Sequence, residues 1–246
     1  MICFTMELAS IPVGVTVNYE KTKEFCKNYL VENKTPEFCV EVNEADIEAE
    51  RQKSDAELRR EGVESAAFPA AYLETLALYR KLLPELLKRD IFLFHGAAVE
   101  VDGEAYLFTA PSGTGKTTHL RLWQKKFGDR LTVVNGDKPL IAIRDGKAIV
   151  CGTPWQGKEN YGENRQAPLK ALCFLSRAEV NRIEPTTLRD ELAFLMGQIY
   201  RPSDAASMVK TLSLVNAMGE AVSLYHLYCN MEQDAADVAY NGMQGN

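Results

Sequence analysis

The segment Ala110-Pro111-Ser112-Gly113-Thr114-Gly115-Lys116-Thr117-Thr118 decides how the fold of this sequence is interpreted. It matches the phosphate-binding-loop pattern (P-loop, or Walker A) G-x-x-x-x-G-K-[ST], except that Ala110 occupies the first glycine position. An apolar stretch, Tyr106-Leu107-Phe108, precedes the segment, and a helical pattern over residues 118–126 follows it. A loop between a strand and a helix turns its backbone N–H groups inward, and the helix dipole adds positive potential. The segment therefore favours a nucleotide phosphate site over a purely structural glycine turn.

The residues of this loop have separate expected roles. Gly113 and Gly115 allow backbone angles and a close approach that a side chain would prevent. Lys116 supplies a mobile positive charge for the β- and γ-phosphates, and the Thr117 hydroxyl suits Mg²⁺. Ala110 would matter only if its position requires a positive φ. We therefore expect ATP and Mg²⁺ to bind through the loop residues Ser112, Gly113, Thr114, Gly115, Lys116, Thr117 and Thr118.

Two β-hairpins are predicted around this loop. Strands over residues 91–101 and 104–109 flank Asp102-Gly103, and strands over 140–144 and 147–151 flank Asp145-Gly146. Both dipeptides suit a tight turn because their residues can adopt positive φ. Hairpins imply antiparallel pairs, so we predict an α/β fold with a mixed β-sheet and flanking helices.

A carboxylate and a histidine are candidates for the chemistry beside the loop. Asp137 follows a predicted strand over residues 131–135, where an acid could hold Mg²⁺ or accept the proton of an incoming hydroxyl. The alternative is an ordinary turn residue in Asn-Gly-Asp. His95 lies mid-strand in the predicted 91–101 strand, and alone it suits a core position better than a catalyst. Its hairpin partner leads into the loop, however, so the imidazole could face the γ-phosphate. His119 is interpreted as a packed helix residue, and His226 has no informative context.

Three basic residues are weaker candidates for contacts to a phosphate or an acceptor. Lys158 lies in the loop over residues 152–161, which fits an active-site loop and an ordinary connection equally well. Arg165 and Arg201 are candidate second phosphate clamps, although an exposed arginine is more often a plain surface charge.

The rest of the chain is organised as an N-terminal α/β lobe over residues 1–88, packed on a core over residues 89–246. In the lobe, helices are predicted at 20–30 and 70–88, with a kink at Pro84. Residues 44–64 are dense in both charge signs and predict an exposed helix or a loose connector. The tail from residue 184 is helical in character, with helices at 187–200, 207–214 and 232–243.

Composition excludes several classes of protein. The 246 residues are 46% hydrophobic and 25% charged, with a net charge of −6, which is typical of a globular protein. Nucleic acid and anionic membrane surfaces are not expected partners, because both require clustered positive charge. No apolar stretch reaches the roughly 20 residues of a membrane span, and the N-terminus lacks a signal-peptide pattern. The six cysteines show no C-x-x-C spacing, so we expect reduced thiols and a cytoplasmic location.

Several motifs together resemble a known family. The runs His95-Gly96-Ala97-Ala98-Val99, Ser112 to Thr118 and Asn135-Gly136-Asp137-Lys138-Pro139 resemble the HPr kinase/phosphorylase-like serine kinases, which share the phosphoenolpyruvate-carboxykinase type of P-loop fold. Weaker motifs resemble a small bacterial subgroup of unassigned substrate. They are Gly152-Thr153-Pro154-Trp155 with Gly157-Lys158, Ala167-Pro168-Leu169-Lys170-Ala171 and Cys229-Asn230-Met231.

This resemblance implies roles for four of the residues. Lys116 and Thr117 match the family's phosphate lysine and metal-binding hydroxyl, His95 matches the histidine beside the catalytic acid, and Asp137 matches the second acid of an Asp-Asp pair. Gly136 stands where the first acid of that pair is expected. The family forms oligomers, so the resemblance also implies self-association.

These observations lead to an ATP-dependent kinase in which Asp137, His95 and Lys116 are catalytic and Thr117 and Asp137 hold the metal. The phosphoacceptor is a hydroxyl, such as a serine of a protein or peptide, and a small molecule is equally open. The alternative is a nucleotide-binding regulatory protein without catalysis, which Gly136 and Ala110 favour. A carboxykinase acting on oxaloacetate is the weakest alternative, because such enzymes are much longer.

Overall fold

The computed structural model describes residues 1–60, 62 and 68–245 of the chain. These residues form two compact units, Met1–Lys88 and Arg89–Asn246. The last part of the predicted helix or connector at 44–64, residues 61, 63 and 64, lies outside the described residues. None of the described helices is long and apolar enough to cross a bilayer.

The described residues of the first unit form a small sheet and three α-helices. Strands β1 and β2 form an antiparallel hairpin, and β3 lies parallel to β2. The bounds are β1 Ile2–Leu8, β2 Ile11–Val17, β3 Phe38–Glu41, α1 Glu20–Phe25, α2 Glu44–Arg60 and α3 Ala70–Leu87, with a 3₁₀ helix at Lys27–Tyr29.

A buried carboxylate connects α1 to α3. Glu74 of α3 is fully buried and accepts hydrogen bonds from the backbone N–H groups of Asn18 and Tyr19, at 2.6 and 3.1 Å, and from the Thr22 hydroxyl. It therefore satisfies the N–H groups of the two residues that immediately precede α1, including its N-cap Tyr19. The predicted helix at 20–30 is too long, because α1 ends at Phe25 and the chain continues as the 3₁₀ turn.

Helix α2 is more than a loose connector. It is largely exposed, but Ile47 and Glu50 are buried. The carboxylate of Glu50 lies 2.6 Å from the Arg80 guanidinium on α3. The charge-dense segment is thus a helix up to Arg60, and an ion pair joins it to its neighbour.

The second unit is built on a nine-stranded mixed sheet. Its order is β4-β8-β9-β10-β6-β5-β7, with β12 paired to β10 and β11 to β12. The pairs β10–β6 and β10–β12 are parallel, and the others are antiparallel. The strands are β4 Ile91–Leu93, β5 Ala97–Val101, β6 Glu104–Thr109, β7 Leu131–Asn135, β8 Leu140–Arg144, β9 Lys147–Cys151, β10 Gln166–Arg177, β11 Arg182–Pro185 and β12 Ser223–Cys229. The helices are α4 Lys116–Phe127, α5 Leu188–Leu195, α6 Ala205–Ala221 and α7 Asp234–Met243.

Both predicted hairpins are confirmed. β5 pairs with β6 through Asp102-Gly103, where φ is 53° and 87°, and β8 pairs with β9 through Asp145-Gly146, where φ is 49° and 73°. Two consecutive residues at positive φ are what a two-residue hairpin loop requires. The mixed α/β sheet inferred from these turns is therefore present.

The predicted strand at 91–101 is wrong as a single element. β4 ends at Leu93 and pairs with β8, whereas β5 begins at Ala97 and pairs with β6 and β7. The break falls at residues 94–96, so His95 is not mid-strand. Its N–H donates to the Gln198 carbonyl at 2.6 Å, and the Gly96 N–H donates to the Asp137 carbonyl at 2.9 Å. These bonds to other segments replace the sheet pairing.

The prediction of a helical tail from residue 184 is also only partly correct. α5 is shorter than the predicted 187–200, α6 is longer than 207–214, and α7 nearly matches 232–243. Strand β12 lies between α6 and α7, in a region expected to be helical, and its residues pair in parallel with β10. The sheet therefore extends beyond the strands that sequence patterns indicated.

One face of the sheet carries the helix that follows the glycine loop. Leu120, Trp123 and Phe127 of α4 pack in a buried cluster with Tyr106 and Phe108 of β6. His119 is 2% exposed and contacts the Phe108 ring edge-on, which confirms that it is a packed helix residue. This packing fixes α4, and with it the loop over residues 110–115, at the end of β6.

Candidate functional site

The glycine loop has the backbone geometry of an anion-binding turn. Gly113 and Gly115 have φ of 77° and 127°, in the region that favours glycine, and a Cβ at either position would meet no atom within 4 Å. Lys116, Thr117 and Thr118 begin α4, where their N–H groups have no intrahelical acceptor. Among the described residues no other backbone carbonyl accepts from these three N–H groups. The start of α4 therefore presents free donors to the open side of the loop.

Two features of the loop settle questions raised by its sequence. Ala110 is buried and is not among the described residues with positive φ, so alanine fits this position without strain. The Lys116 ammonium donates to the Ala110 carbonyl at 3.0 Å and so spans the loop. Burial lowers the pKa of Lys116, and the negative charge of Asp137 opposes that effect. The Asp137 carboxylate and the Lys116 ammonium therefore attract each other electrostatically.

Arg177 supports the loop and was missed by the sequence analysis. It stands at the end of β10, and its guanidinium donates from Nε to the Thr114 carbonyl at 3.1 Å and from Nη2 to the Gly113 carbonyl. Because both carbonyls are held by the same planar group, the peptide units of the loop are fixed in orientation. β10 runs parallel to β6, which explains why residues so far apart in sequence meet at one edge of the sheet.

Asp137 is positioned by a buried asparagine. Asn135, at the end of β7, is fully buried and accepts the N–H groups of Asp137 and Lys138 through Oδ1, at 2.8 and 2.7 Å. Its amide donates to the carbonyl and hydroxyl oxygens of Thr153, at 3.1 and 3.0 Å. The Thr153 hydroxyl donates in turn to the Lys138 carbonyl at 2.8 Å. The Asn135 side chain thus holds the turn through the backbone groups of Asp137 and Lys138, and the Asp137 side chain is not needed for it.

The structure brings His95 and Asp137 together. Nε2 of His95 lies 3.2 Å from Oδ1 of Asp137, and both side chains are partly exposed. The Gly96 N–H bond to the Asp137 carbonyl fixes the same pair through the backbone. Glycine is required at 96, because a Cβ there would lie 2.7 Å from the Phe108 carbonyl oxygen.

A lysine that the sequence analysis did not select completes this cluster. The Lys138 ammonium binds Oδ2 of Asp137, opposite the His95 contact. Burial raises the pKa of Asp137, but the hydrogen bonds from His95 and Lys138, together with their charges, outweigh it. The pKa of Asp137 consequently lies below its ordinary range, and the carboxylate is ionised at neutral pH.

The loop over residues 152–161 lies against Asp137. A Cβ on Gly157, where φ is 76°, would be 2.9 Å from Cβ of Asp137. Glu159 pairs with Arg121 of α4 at 3.0 Å, and the Tyr161 carbonyl accepts the Gly136 N–H at 2.8 Å. The segment is therefore part of the site region, and Lys158 is an exposed cation at its tip.

The two arginines considered as phosphate clamps, Arg165 and Arg201, do not contact the glycine loop in the described structure. Arg165 makes a two-pronged ion pair with Glu100, a β5 carboxylate that is 6% exposed, including an Nη2–Oε1 contact of 2.6 Å. Arg201 is exposed, two residues after Ile199, whose backbone bridges to Phe94. No contact of Arg165 or Arg201 with the glycine loop occurs in the described part of the chain.

The residues present suit a metal that is held mainly by phosphate. Among residues 1–60, 62 and 68–245, no group of three or more His, Cys, Asp or Glu side chains could hold an ion by itself. Mg²⁺ at a nucleotide takes most of its ligands from water and phosphate oxygens and needs only one or two oxygen side chains. The partly exposed hydroxyl of Thr117 and the ionised carboxylate of Asp137 are oxygen donors of this kind.

Comparison with solved structures shows distant similarity only. No protein-family model matches the sequence, and no curated protein matches it. Among solved structures, the chain is similar to the HPr(Ser) kinase/phosphatase from Coxiella burnetii, with 11% sequence identity and a TM-score of 0.36. The match covers 62% of this chain and 99% of that chain. At these values the similarity identifies neither a family nor an activity.

Proposed function

We propose that this protein is an ATP-dependent kinase, a transferase that moves the γ-phosphate of ATP to a hydroxyl group. The proposed acceptor is a serine of a protein or peptide, and the proposed core is a P-loop fold of the phosphoenolpyruvate-carboxykinase and HPr-kinase type. One observation carries the proposal: Lys116 begins α4, where free N–H groups face the loop, and its ammonium interacts electrostatically with Asp137, which is paired with His95.

The loop would bind the phosphates of ATP. Its N–H groups and the dipole of α4 favour negative charge at this position. Lys116 would leave the Ala110 carbonyl for the β- and γ-phosphates, and Arg177 would keep the loop carbonyls turned away from them. Because phosphoryl transfer depends mainly on positioning and electrostatics, these groups account for most of the required chemistry.

The Thr117 hydroxyl and the Asp137 carboxylate would hold Mg²⁺, which when bound would supply positive charge beside the transferring phosphate. Asp137 also serves the acceptor. Its lowered pKa keeps it ionised, so it would orient an incoming hydroxyl through a hydrogen bond. It would take the proton only late, once bond formation to phosphorus has made the hydroxyl acidic. The hydrogen bond from His95 fixes the direction of the carboxylate.

A second function, nucleotide binding without transfer, is favoured by two details of the Asp137 turn. Lys138 already occupies Oδ2 of Asp137. An acid at position 136 would be crowded, since a Cβ there would lie 3.2 Å from the Tyr161 carbonyl and 3.3 Å from the Gln156 carbonyl, and these groups would have to shift. A site with a single, already paired carboxylate could bind ATP and use it only as a signal.

One experiment separates the two functions. The purified chain is incubated with radiolabelled ATP and Mg²⁺, with and without a mixture of serine-containing peptides, and both phosphate release and phosphate incorporation are measured. Asp137→Asn should lower turnover by at least 10²-fold while leaving ATP binding largely intact, because general-base groups contribute about 10²–10⁴-fold. Asp145→Asn, at the turn of the β8–β9 hairpin, is the matched control and should behave as wild type.

The outcomes are distinct. Turnover that depends on Asp137 supports the kinase. ATP binding with neither transfer nor hydrolysis supports the regulatory protein. Full turnover in Asp137→Asn contradicts the role of Asp137, and an absence of ATP binding contradicts both functions.

A further inference from the structure

A serine, a histidine and a glutamate form a hydrogen-bonded chain away from the glycine loop. Oγ of Ser176 lies 2.8 Å from Nε2 of His226, and Nδ1 of His226 lies 2.8 Å from Oε1 of Glu191. The two ring nitrogens therefore have different partners, a hydroxyl on one side and a carboxylate on the other. This is the order of groups in a nucleophile–base–acid triad.

Three different elements bring these residues together. Ser176 lies near the end of β10, His226 lies on the parallel neighbour β12, and Glu191 lies in the first turn of α5. His226 is the register partner of Phe174, so Ser176 is two residues further along and on the same face. The arrangement is thus fixed by sheet register, not by a flexible loop.

This cluster is on the opposite face of the sheet from α4. Cys173 and Leu175 of β10 and Leu227 of β12 belong to the buried cluster under α4. Because side chains alternate along a strand, Ser176 and His226 point to the other face. The chain Ser176–His226–Glu191 is therefore separate from the site proposed for ATP.

The local contacts orient the imidazole toward the serine. With Nδ1 donating to the Glu191 carboxylate, the Nε2 lone pair is directed at the Ser176 hydroxyl. The Thr186 hydroxyl donates to the same Glu191 oxygen at 3.3 Å and helps to hold it. The Tyr228 ring stacks on the imidazole at 4.6 Å, which limits rotation of the ring. The side chain of His226 is 24% exposed and that of Glu191 13%, so the base is reachable while the acid is shielded.

We propose that Ser176 is a nucleophile, activated by His226 and positioned through Glu191, that attacks small carboxylic esters with apolar acyl groups. The partly exposed Tyr228 ring, which stacks on the imidazole, supplies an apolar wall for the acyl group. In the first step Oγ forms a bond to the acyl carbon, and its proton passes to Nε2 of His226. The bond to the leaving oxygen breaks, and that oxygen takes the proton from Nε2. Water then attacks the acyl carbon and gives a proton to His226; the bond from that carbon to Oγ breaks, Oγ takes the proton from His226, and the carboxylic acid is released.

The test uses two probes on the full chain. A phosphonyl fluoride labels an activated serine, since the Oγ–P bond forms as fluoride leaves, and mass spectrometry locates the label. Hydrolysis of p-nitrophenyl acetate measures turnover. We expect labelling at Ser176 that is lost in Ser176→Ala, and a labelling rate lowered by about 10²–10⁴-fold in His226→Gln. Ser223→Ala is the matched control. Ser223 is exposed at the start of β12, the strand that carries His226, and the variant should react as wild type.

Glu191 acts through His226, so its test is a pH profile. Glu191→Gln should shift the midpoint of the labelling rate to lower pH, because the carboxylate that stabilises the imidazolium is lost. The other charged groups near this imidazole are Glu184, its register partner on β11, and Arg182, which lies over the Tyr228 ring. Both are present in wild type and variant, so they do not produce the shift.

A label distributed over several serines, or equal labelling rates in wild type and His226→Gln with both proteins folded, overturns the proposal. The three residues would then be a hydrogen-bonded chain that only satisfies polar groups. An unchanged pH midpoint in Glu191→Gln overturns the role given to Glu191.

Discussion

Asn135→Ala is the substitution that tests most directly how Asp137 is held. Asn135 is fully buried and makes four hydrogen bonds, two as acceptor from the N–H groups of Asp137 and Lys138 and two as donor to Thr153. A buried hydrogen bond contributes about 1 kcal/mol net. Loss of all four, with part of the side-chain volume, should therefore lower the free energy of unfolding by about 3–5 kcal/mol.

A graded series makes this prediction quantitative. Thr153→Val removes the hydroxyl that accepts from Asn135 and donates to the Lys138 carbonyl, so about 2 kcal/mol should be lost. Asn216→Ala is the matched control, because Asn216 is exposed on α6 and its amide donates to the Glu220 carboxylate at 2.7 Å. It should change the free energy of unfolding by less than about 0.5 kcal/mol.

The assay is equilibrium unfolding in urea, followed by circular dichroism and tryptophan fluorescence. The midpoint should fall in the order Asn216→Ala, Thr153→Val, Asn135→Ala, at a constant denaturant slope. If Asn135→Ala is no less stable than Asn216→Ala, the buried amide does not organise the turn, and the account of how Asp137 is positioned is wrong.

Two further predictions concern the helix after the loop and its support. Burial lowers the pKa of His119 to about 3, so between pH 6.5 and 3 the unfolded chain binds a proton that the folded chain does not. Stability from the neutral imidazole is present above pH 6.5 and is lost as the pH falls, with a slope approaching about 1.4 kcal/mol per pH unit. The difference in unfolding free energy between wild type and His119→Gln should thus shrink between pH 7 and pH 4, and a constant difference would refute this. Arg177→Ala removes the donors to the Gly113 and Thr114 carbonyls and should weaken ATP binding by about 5- to 30-fold, whereas Arg182→Ala, at the Tyr228 ring, should not; equal affinities would show that the brace is dispensable.

Local sequence signals predicted the parts of the fold that depend on local backbone geometry. The Asp-Gly turns require positive φ at consecutive residues, and the two glycines of the loop adopt it, so these positions can be recognised from residue type alone. The apolar run over residues 131–135, followed by Asn-Gly-Asp, likewise placed strand β7 and the Asp137 turn after it. Each of these features is complete within about ten residues.

Features that depend on distant contacts were missed. The apolar run from Ile91 gives no sign of its break, because the break is set by hydrogen bonds of His95 and Gly96 to the Gln198 and Asp137 carbonyls. Strand β12 has apolar residues whose spacing also suits a helix, and only pairing with β10 makes it a strand.

The candidate site likewise combines residues recognisable from local sequence with residues placed by distant contacts. The loop, Asp137 and His95 come from motifs, whereas Arg177 joins the loop through the parallel pairing of β10 with β6. Lys138 stands next to Asp137 in sequence, and a lysine beside an acid carries no signal that the two side chains meet. Ser176, His226 and Glu191 lie on separate elements, so no spacing in the sequence could reveal their contacts.

Calorimetric titration with ATP and Mg²⁺ is the most direct test of the central claim that residues 110–118 bind a triphosphate. Wild type should bind ATP, and Lys116→Ala should bind it about 10- to 150-fold more weakly, because a hydrogen bond from a charged group to phosphate contributes about 1.5–3 kcal/mol. Lys125→Ala, an exposed lysine in the last turn of the same helix, should bind as wild type. Equal ATP affinity in wild type and Lys116→Ala, or no binding by wild type, would contradict the claim.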